Sequence, residues 1–211
     1  MKKLLLIIPV VMSLSALSAT GDYLTSFTID LYKLAVSEQE DCSGLLTVID
    51  NGNAPKRVDL YNNPKFGDAN ILEGTYRCFV LEISSTMKMI PGPANNFTGG
   101  AGNCVIGTEV SLPLAGSGIN TKLIGGSSSG GISTKMAIYL TTDTSASGNT
   151  ATAFLPPNGA GHGVNITQPL VLTSDAASYF NVSFGDITTA VDNSNAGECG
   201  FNDMKFNFVN P

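Results

Sequence analysis

His162 is the only histidine of the 211-residue chain, and it stands in the loop Gly159-Ala160-Gly161-His162-Gly163. Histidine is the residue best suited to move a proton near neutral pH. Here it lacks sequence partners. No G-x-S-x-G nucleophile elbow is present, no Ser–His–Asp set is identifiable, and one histidine cannot build a two-histidine metal site. The plain reading is an exposed loop residue. Carboxylates offer a second chemistry, because a pair about 5–9.5 Å apart across a cleft hydrolyses glycosides. Glu82, Glu109, Asp143 and Asp186 all lie in or beside expected strands. Their spacing singles out no pair. The absence of Trp also counts against a sugar-stacking cleft, although Tyr and Phe can substitute.

The four cysteines are Cys42, Cys78, Cys104 and Cys199. No two show the close spacing of a structural zinc site, and an even count in an exported chain reads as two disulfides. Oxidised thiols are not nucleophiles. Three connectivities are open, and the preferred one is Cys42–Cys78 with Cys104–Cys199. A Cys78–Cys104 link is disfavoured if those residues begin successive antiparallel strands, because they would then sit at opposite ends of the hairpin.

Two Asx-rich turns raise calcium. They are Asp50-Asn51-Gly52-Asn53 and Asp192-Asn193-Ser194-Asn195-Ala196-Gly197-Glu198. Alternate hard oxygens suit the ion, but Ala196 occupies a ligand position, and Asx residues form turns for backbone reasons alone. Gly116-Ser117-Gly118 precedes no helical pattern, so it lacks the helix N-terminus of a phosphate-binding loop. The sequence therefore assigns no catalytic residue, no metal ligand and no cofactor.

The elements that would hold these residues follow a leader. Lys2 and Lys3 precede an apolar run from Leu4 to Met12, and then Ser13, Ser15, Ala16, Ser18 and Ala19. That order is the pattern of a secretory signal peptide. The run is about half of the ~20 residues that span a bilayer as a helix. Residues 1–18 are expected to be removed, with cleavage after Ala19 as the alternative. The first cysteine is too distant for lipid attachment. The short lysine-led leader looks bacterial, which places the product in the periplasm, on the cell surface or outside. Loss of Lys2 and Lys3 takes the formal charge from −6 to −8. So acidic a chain has no footprint for nucleic acid and no polybasic segment for membrane lipid.

Residues 19–211 read as one all-β domain, a disulfide-bonded antiparallel β-sandwich. Its apolar runs are short, β-branched or aromatic, and bounded by Gly, Pro, Asn or Asp. Expected strands are Tyr23 to Val36, Leu45 to Ile49, Arg57 to Tyr61 and Thr75 to Ser84. Cys104 to Leu112, Lys122 to Ile124, Thr134 to Thr142, Val164 to Leu172, Tyr179 to Phe184 and Met204 to Val209 follow. A helical reading of Leu31, Leu34 and Ala35 competes near the end of the first. The acidic stretch Glu38 to Asp41 reads as a solvated turn, and Asn51-Gly52 as the pair favoured in a tight hairpin. The middle, about 91–163, is rich in Gly and Ser, with long loops that tend to cluster at one end of a sandwich and carry binding surfaces.

One stretch resembles a known group. Val58-Asp59-Leu60, then Ile71-Leu72-Glu73-Gly74-Thr75-Tyr76 leading into Phe79-Val80-Leu81-Glu82-Ile83, resembles uncharacterised exported bacterial proteins with a transthyretin-like (prealbumin-like) β-sandwich. Their pattern is a V-D-L strand followed by an L-x-x-G-x-Y turn, with Ile71 here in the Leu position. The resemblance covers residues 26–85 and implies a fold and no catalytic residues. Gly74 is expected to free the backbone for a tight strand entry.

These readings converge on a non-enzymatic binding or surface-structural module with a protein or glycan partner at the cell envelope. The alternatives are a secreted carboxylate-dependent hydrolase and a pilus or fibre subunit. The last would leave a groove for a neighbour's strand, yet the mature region begins almost at Tyr23, with no spare donor strand.

Overall fold

The computed structural model describes residues 24–62, 64–67, 71–93, 105–114, 121–126, 128–129, 134–148, 152–174, 178–184 and 204–209. Among them the regular structure is all strand, without helix. The strands are β1 (Leu24–Ser37), β2 (Leu46–Asp50), β3 (Lys56–Asp59), β4 (Gly74–Tyr76), β5 (Cys78–Ser84), β6 (Thr86–Pro91) and β7 (Val110–Pro113). They continue with β8 (Thr121–Lys122), β9 (Ser128–Ser129), β10 (Lys135–Thr141), β11 (Val164–Asn165), β12 (Leu170–Leu172), β13 (Tyr179–Phe184) and β14 (Met204–Val209).

The main sheet is built around β1. One side of β1 pairs with β2 and then β3, and the other with β5 and then β6, all antiparallel. β10 continues the sheet beyond β5, and β7 continues it beyond β6. β11 joins β10 in parallel, so the sheet is mixed. Three adjoining tracks break at nearly one level. β1 slips register between Leu31 and Lys33, residues 51–55 interrupt β2 and β3, and Ser85 separates β5 from β6. Such irregularities bend strands and increase local twist, and here the sheet curls. Three two-stranded sheets, β4–β12, β13–β14 and β8–β9, complete the described fold.

Alternation along the strands sends side chains to two faces. On one face lie Leu34 and Val36 of β1, Phe79, Leu81 and Ile83 of β5, and Met136, Ile138 and Leu140 of β10. The β13–β14 hairpin supplies Phe180, Phe206 and Phe208 to the same core. Phe180 is the hub, with its centroid 5.4 Å from Phe66, 5.5 Å from Phe79, 5.4 Å from Phe208 and 6.0 Å from Phe206. The opposite face carries small residues, Ala35, Cys78, Val80 and Ala137, with Tyr139 and Cys42. Cys42 and Cys78 form a disulfide with Cα atoms 5.3 Å apart. β5 is buried on both faces.

The two short motifs of the 26–85 stretch have structural functions. The Asp59 carboxylate accepts from the Ser26 hydroxyl, the Phe27, Tyr61 and Asn62 amides and the Asn62 side chain, at 2.9–3.3 Å. It thereby locks the end of β3 against the start of β1. Burial works to raise its pKa, but the bonds from Asn62, Tyr61 and Phe27 outweigh it and hold the carboxyl below its ordinary value. The Tyr76 hydroxyl donates to the Leu72 carbonyl four residues upstream at 2.8 Å. Gly74 corrects the expectation placed on it. It takes no left-handed φ, and an added Cβ would meet the Tyr76 ring at 3.6 Å, an ordinary contact.

Other expectations are also revised. Asn51-Gly52 does not join a hairpin, since β2 and β3 both pair with β1 and not with each other. The turn is an outward excursion along one edge of β1, tied by the Asn51 amide to Tyr32 and its side chain to Leu31. The helical reading near Leu31 gives way to strand because β1 has partners on both sides there. Thr75 to Ser84 divides at Arg77, and Val164 to Leu172 divides into β11 and β12. β6 was not expected. Its Met87, Met89 and Pro91 alternate inward, but methionine carries little strand signal. The leader 1–18, Cys104, Asp186, Cys199, Gly116-Ser117-Gly118 and the turn 192–198 lie outside the described residues.

Candidate functional site

A recess of about 500 Å³ opens on the small-residue face. Tyr139 of β10 lines it together with three loop segments. These are the disulfide loop with Cys42 and Leu45, the turn after β8 with Lys122, Leu123, Gly125 and Gly126, and the stretch Leu155-Pro156-Pro157-Asn158 with His162.

Specific polar ties set each wall. In the disulfide loop Cys42 takes φ 59°, a left-handed conformation that is costly for a residue with a Cβ. The bond to Cys78 and the Cys42 amide bond to the Gln39 carbonyl hold it there. The Ser37 hydroxyl bonds the Ser43 carbonyl and also accepts the Gln39 amide. Residues Glu38 to Asp41 are exposed, as a solvated turn should be. The Asp41 carboxyl lies below its usual value because the Ser43 side chain and amide donate to it.

The turn after β8 rests on three side chains. The buried Thr121 hydroxyl donates to the Phe154 carbonyl at 3.0 Å and accepts the Ala137 amide at 3.2 Å. The Tyr139 hydroxyl donates to the Lys122 carbonyl at 2.6 Å. Burial, with the Glu82 charge second, pushes that phenol up to about 12, so it stays protonated at neutral pH. The Glu82 carboxylate, 3% exposed, accepts the Ile124 amide at 3.2 Å. Lys33 stands directly opposite Glu82 in the β1–β5 pairing, which puts a positive charge on the same face.

The third wall turns on Gly163, which has φ 78°. An added Cβ there would lie 3.2 Å from the Tyr139 carbonyl and 3.2 Å from Pro157, so the loop can close on β10 only with glycine. The Gly163 amide donates to the Thr152 carbonyl at 2.9 Å, and the Ser147 hydroxyl donates to the Gly161 carbonyl at 2.6 Å. His162 thus sits at the recess between two fixed glycines.

Of the four carboxylates singled out in the sequence, Glu82, Glu109 and Asp143 are described, and each has its own partners. Glu82 is buried beneath the Ile124 turn. Glu109 lies beside β7, with β1 and β6 between it and β5, and pairs with Arg57 at 3.3 Å and Lys88 at 3.8 Å. Asp143 follows β10 and accepts the Ser145 amide at 2.8 Å. These partner sets have no member in common.

No protein family, curated protein or solved structure matches this chain. The site must therefore be read from its own geometry.

The Asp50–Asn53 turn is filled by lysines. Asp50 meets Lys33 at 3.5 Å, and Lys135 reaches the Asn53 side chain at 3.0 Å while its ammonium lies 4.1 Å from the Tyr32 ring centroid. Two ammonium groups thus lie among the oxygens of this turn. No cluster of three His, Cys, Asp or Glu suited to a metal occurs among the described residues.

Of the residues singled out by type, Cys42 and His162 meet at the recess. Tyr139, Lys122 and the Leu155–Pro157 stretch went unnoticed in the sequence. The inward alternation of β10 could have marked Tyr139, and Pro156-Pro157 a stiff wall. Nothing local marks Lys122.

Proposed function

We propose that this chain is an exported bacterial protein whose disulfide-bonded β-sandwich acts by contact, as a binding or surface-structural module, and not by turnover. One observation carries the reading. Three of the chemically capable groups around the recess are committed to structure: Tyr139 to Lys122, Glu82 to Ile124 and Cys42 to Cys78. What faces the opening is an apolar lining with Lys122, Asn158 and His162 among it. Binding sites are commonly apolar hollows with a few placed polar groups.

The sandwich reading is supported by the phenylalanine layer between the β13–β14 hairpin and the main sheet. It is also supported by the Tyr76–Leu72 tie, the kind of corner found in many β-sandwiches. The transthyretin-like resemblance fits the same picture, since its two motifs clamp strands in place. Export is supported by the leader pattern and by the disulfide, a bond that persists in oxidising compartments. The partner is a protein or glycan at the envelope.

The test is fractionation of the producing cell, mass mapping of the cysteines without reduction, and assay of purified protein on glycan, ester and peptide panels. The expected result is cleaved protein in the envelope or medium, a Cys104–Cys199 bridge beside Cys42–Cys78, and no turnover. Robust hydrolysis abolished by Glu82→Gln or Glu109→Gln would refute the contact reading.

A further inference from the structure

We propose that Asn158 is a self-modification site that converts in water to aspartate and isoaspartate, and that the fold directs this chemistry to Asn158 and away from Asn51. Both residues precede glycine, in Asn51-Gly52 and Asn158-Gly159. Such a pair is prone to cyclise, because glycine puts no Cβ beside the attacking amide and leaves the backbone free to turn. The glycine nitrogen, having given its proton to hydroxide, attacks the asparagine Cγ. The new C–N bond closes a succinimide, and ammonia leaves. Water then adds to one of the two ring carbonyls and opens it to aspartate or isoaspartate. One water is consumed and one ammonia released, and nothing is oxidised or reduced.

The two pairs are held differently. In the first, the nucleophile is engaged, since the Gly52 amide donates to the Asp50 carboxylate at 2.8 Å. The electrophile is engaged as well. The Asn51 side chain donates to the Leu31 carbonyl at 3.0 Å, and its backbone amide to Tyr32 at 2.8 Å. Cyclisation there must break the Gly52 bond and swing the Asn51 side chain off β1. In the second pair Asn158, Gly159 and Ala160 are exposed. The bond to the Asn158 side chain runs the other way, with the Ala160 amide donating to Oδ1 at 3.1 Å. It draws electron density from Cγ and faces the charge that grows on Oδ1 as the nitrogen adds. Gly159 has φ 73°, and an added Cβ there meets nothing within 4 Å beyond its chain neighbours, so the loop has room to close the ring.

The product changes the recess, because Asn158 and His162 both line it. Conversion sets a carboxylate where a neutral amide stood. Isoaspartate also inserts an extra backbone atom between Pro157 and the fixed turn at Gly163. The recess thus alters in charge and shape as the protein ages, which goes beyond the contact reading and does not depend on it.

Incubation of the purified full chain in mildly alkaline buffer, followed by peptide mass mapping that separates aspartyl from isoaspartyl products, tests this. A parallel incubation in guanidinium chloride frees both pairs from the fold. Unfolded, the two asparagines are expected to convert at rates within about threefold of each other. Folded, Asn51 should slow about tenfold or more, while Asn158 stays within about threefold of its unfolded rate. Asp50→Ala, shown by its melting curve to be folded, should speed Asn51 about tenfold and leave Asn158 unchanged. Folding that slows both asparagines equally, or Asn158 more than Asn51, overturns the proposal that the fold directs the chemistry. A folded chain in which Asn158 stays intact while the unfolded chain converts overturns it as a modification site. Continued protection of Asn51 in Asp50→Ala overturns the Asp50 bond as the lock.

Discussion

The two faces of β5 are held by different physics. Phe79, Leu81 and Ile83 point into a core of interlocking rings and aliphatic chains, where every neighbour contributes and no single bond decides. Cys78, Val80 and Glu82 point to the other side, where small residues leave room and loops are fastened by individual ties. Apolar packing is non-directional and summed over many contacts. A fastened loop depends on one hydroxyl, one carboxylate or one disulfide. The first arrangement gives stability to the whole chain, and the second gives a surface whose shape is set locally. The recess lies on the fastened face, where Cys42 and Tyr139 line it.

The largest effect is expected where the ring cluster is broken. Phe180 is fully buried and touches four other rings. Phe180→Ala should cost about 4 kcal/mol and lower Tm by about 10 °C for a chain of this size. A change under 3 °C in a thermal melt would show that the cluster is not the stabilising core. Next comes the disulfide, which closes 36 residues of chain. The Cys42→Ser, Cys78→Ser double variant should lose about 3 kcal/mol, mainly through a freer unfolded chain. Substitution confines the change to this bridge. Equal stability with and without the bridge, measured by urea titration, would contradict this.

The same contrast explains what was legible in the sequence. β1, β10, β13 and β14 could be read because alternation and aromatic content encode the ring-packed face residue by residue. The cysteine count indicated disulfides and left three connectivities open; Cys42–Cys78 belonged to the preferred one. The fastened face was not legible. Thr121 and Phe154, or Glu82 and Ile124, are 33 and 42 residues apart, and a single long-range hydrogen bond leaves no periodic trace. Asn51-Gly52 misled because its local preference for a hairpin was overridden by the competing partner β1. His162 was visible from the start, yet its place beside Cys42 and Tyr139 depends on how loops cross the sheet.

Acid should sharpen the comparison by loosening a third region first. Asp59 clamps β3 to β1 as an acceptor, and its pKa is lower in the folded chain than its ordinary value near 4. A group with a depressed folded pKa contributes stability that is complete above its unfolded value and lost as pH falls through the folded one. Asp59→Asn should therefore cost about 1 kcal/mol at pH 7, discounted for partial exposure, and progressively less as pH falls below the ordinary carboxylate value and through the lowered one. Urea titrations of both proteins across that window check the sign. A difference that grows toward low pH would mean that the carboxylate is not the clamp.

The smallest expected change is the most local. Tyr139→Phe removes only the hydroxyl that holds the Lys122 carbonyl, and leaves the ring at the recess. One lost hydrogen bond to a backbone acceptor costs about 1 kcal/mol. If the face is fastened tie by tie, the loss should stay there. Amide hydrogen exchange should accelerate in Lys122 to Gly126, while Phe180 and Phe208 keep the protection of a core that opens only by global unfolding. If exchange rises equally in both places at unchanged global stability, the recess wall and the ring cluster are one cooperative unit. The two faces of β5 would then differ in composition but not in the way they are held.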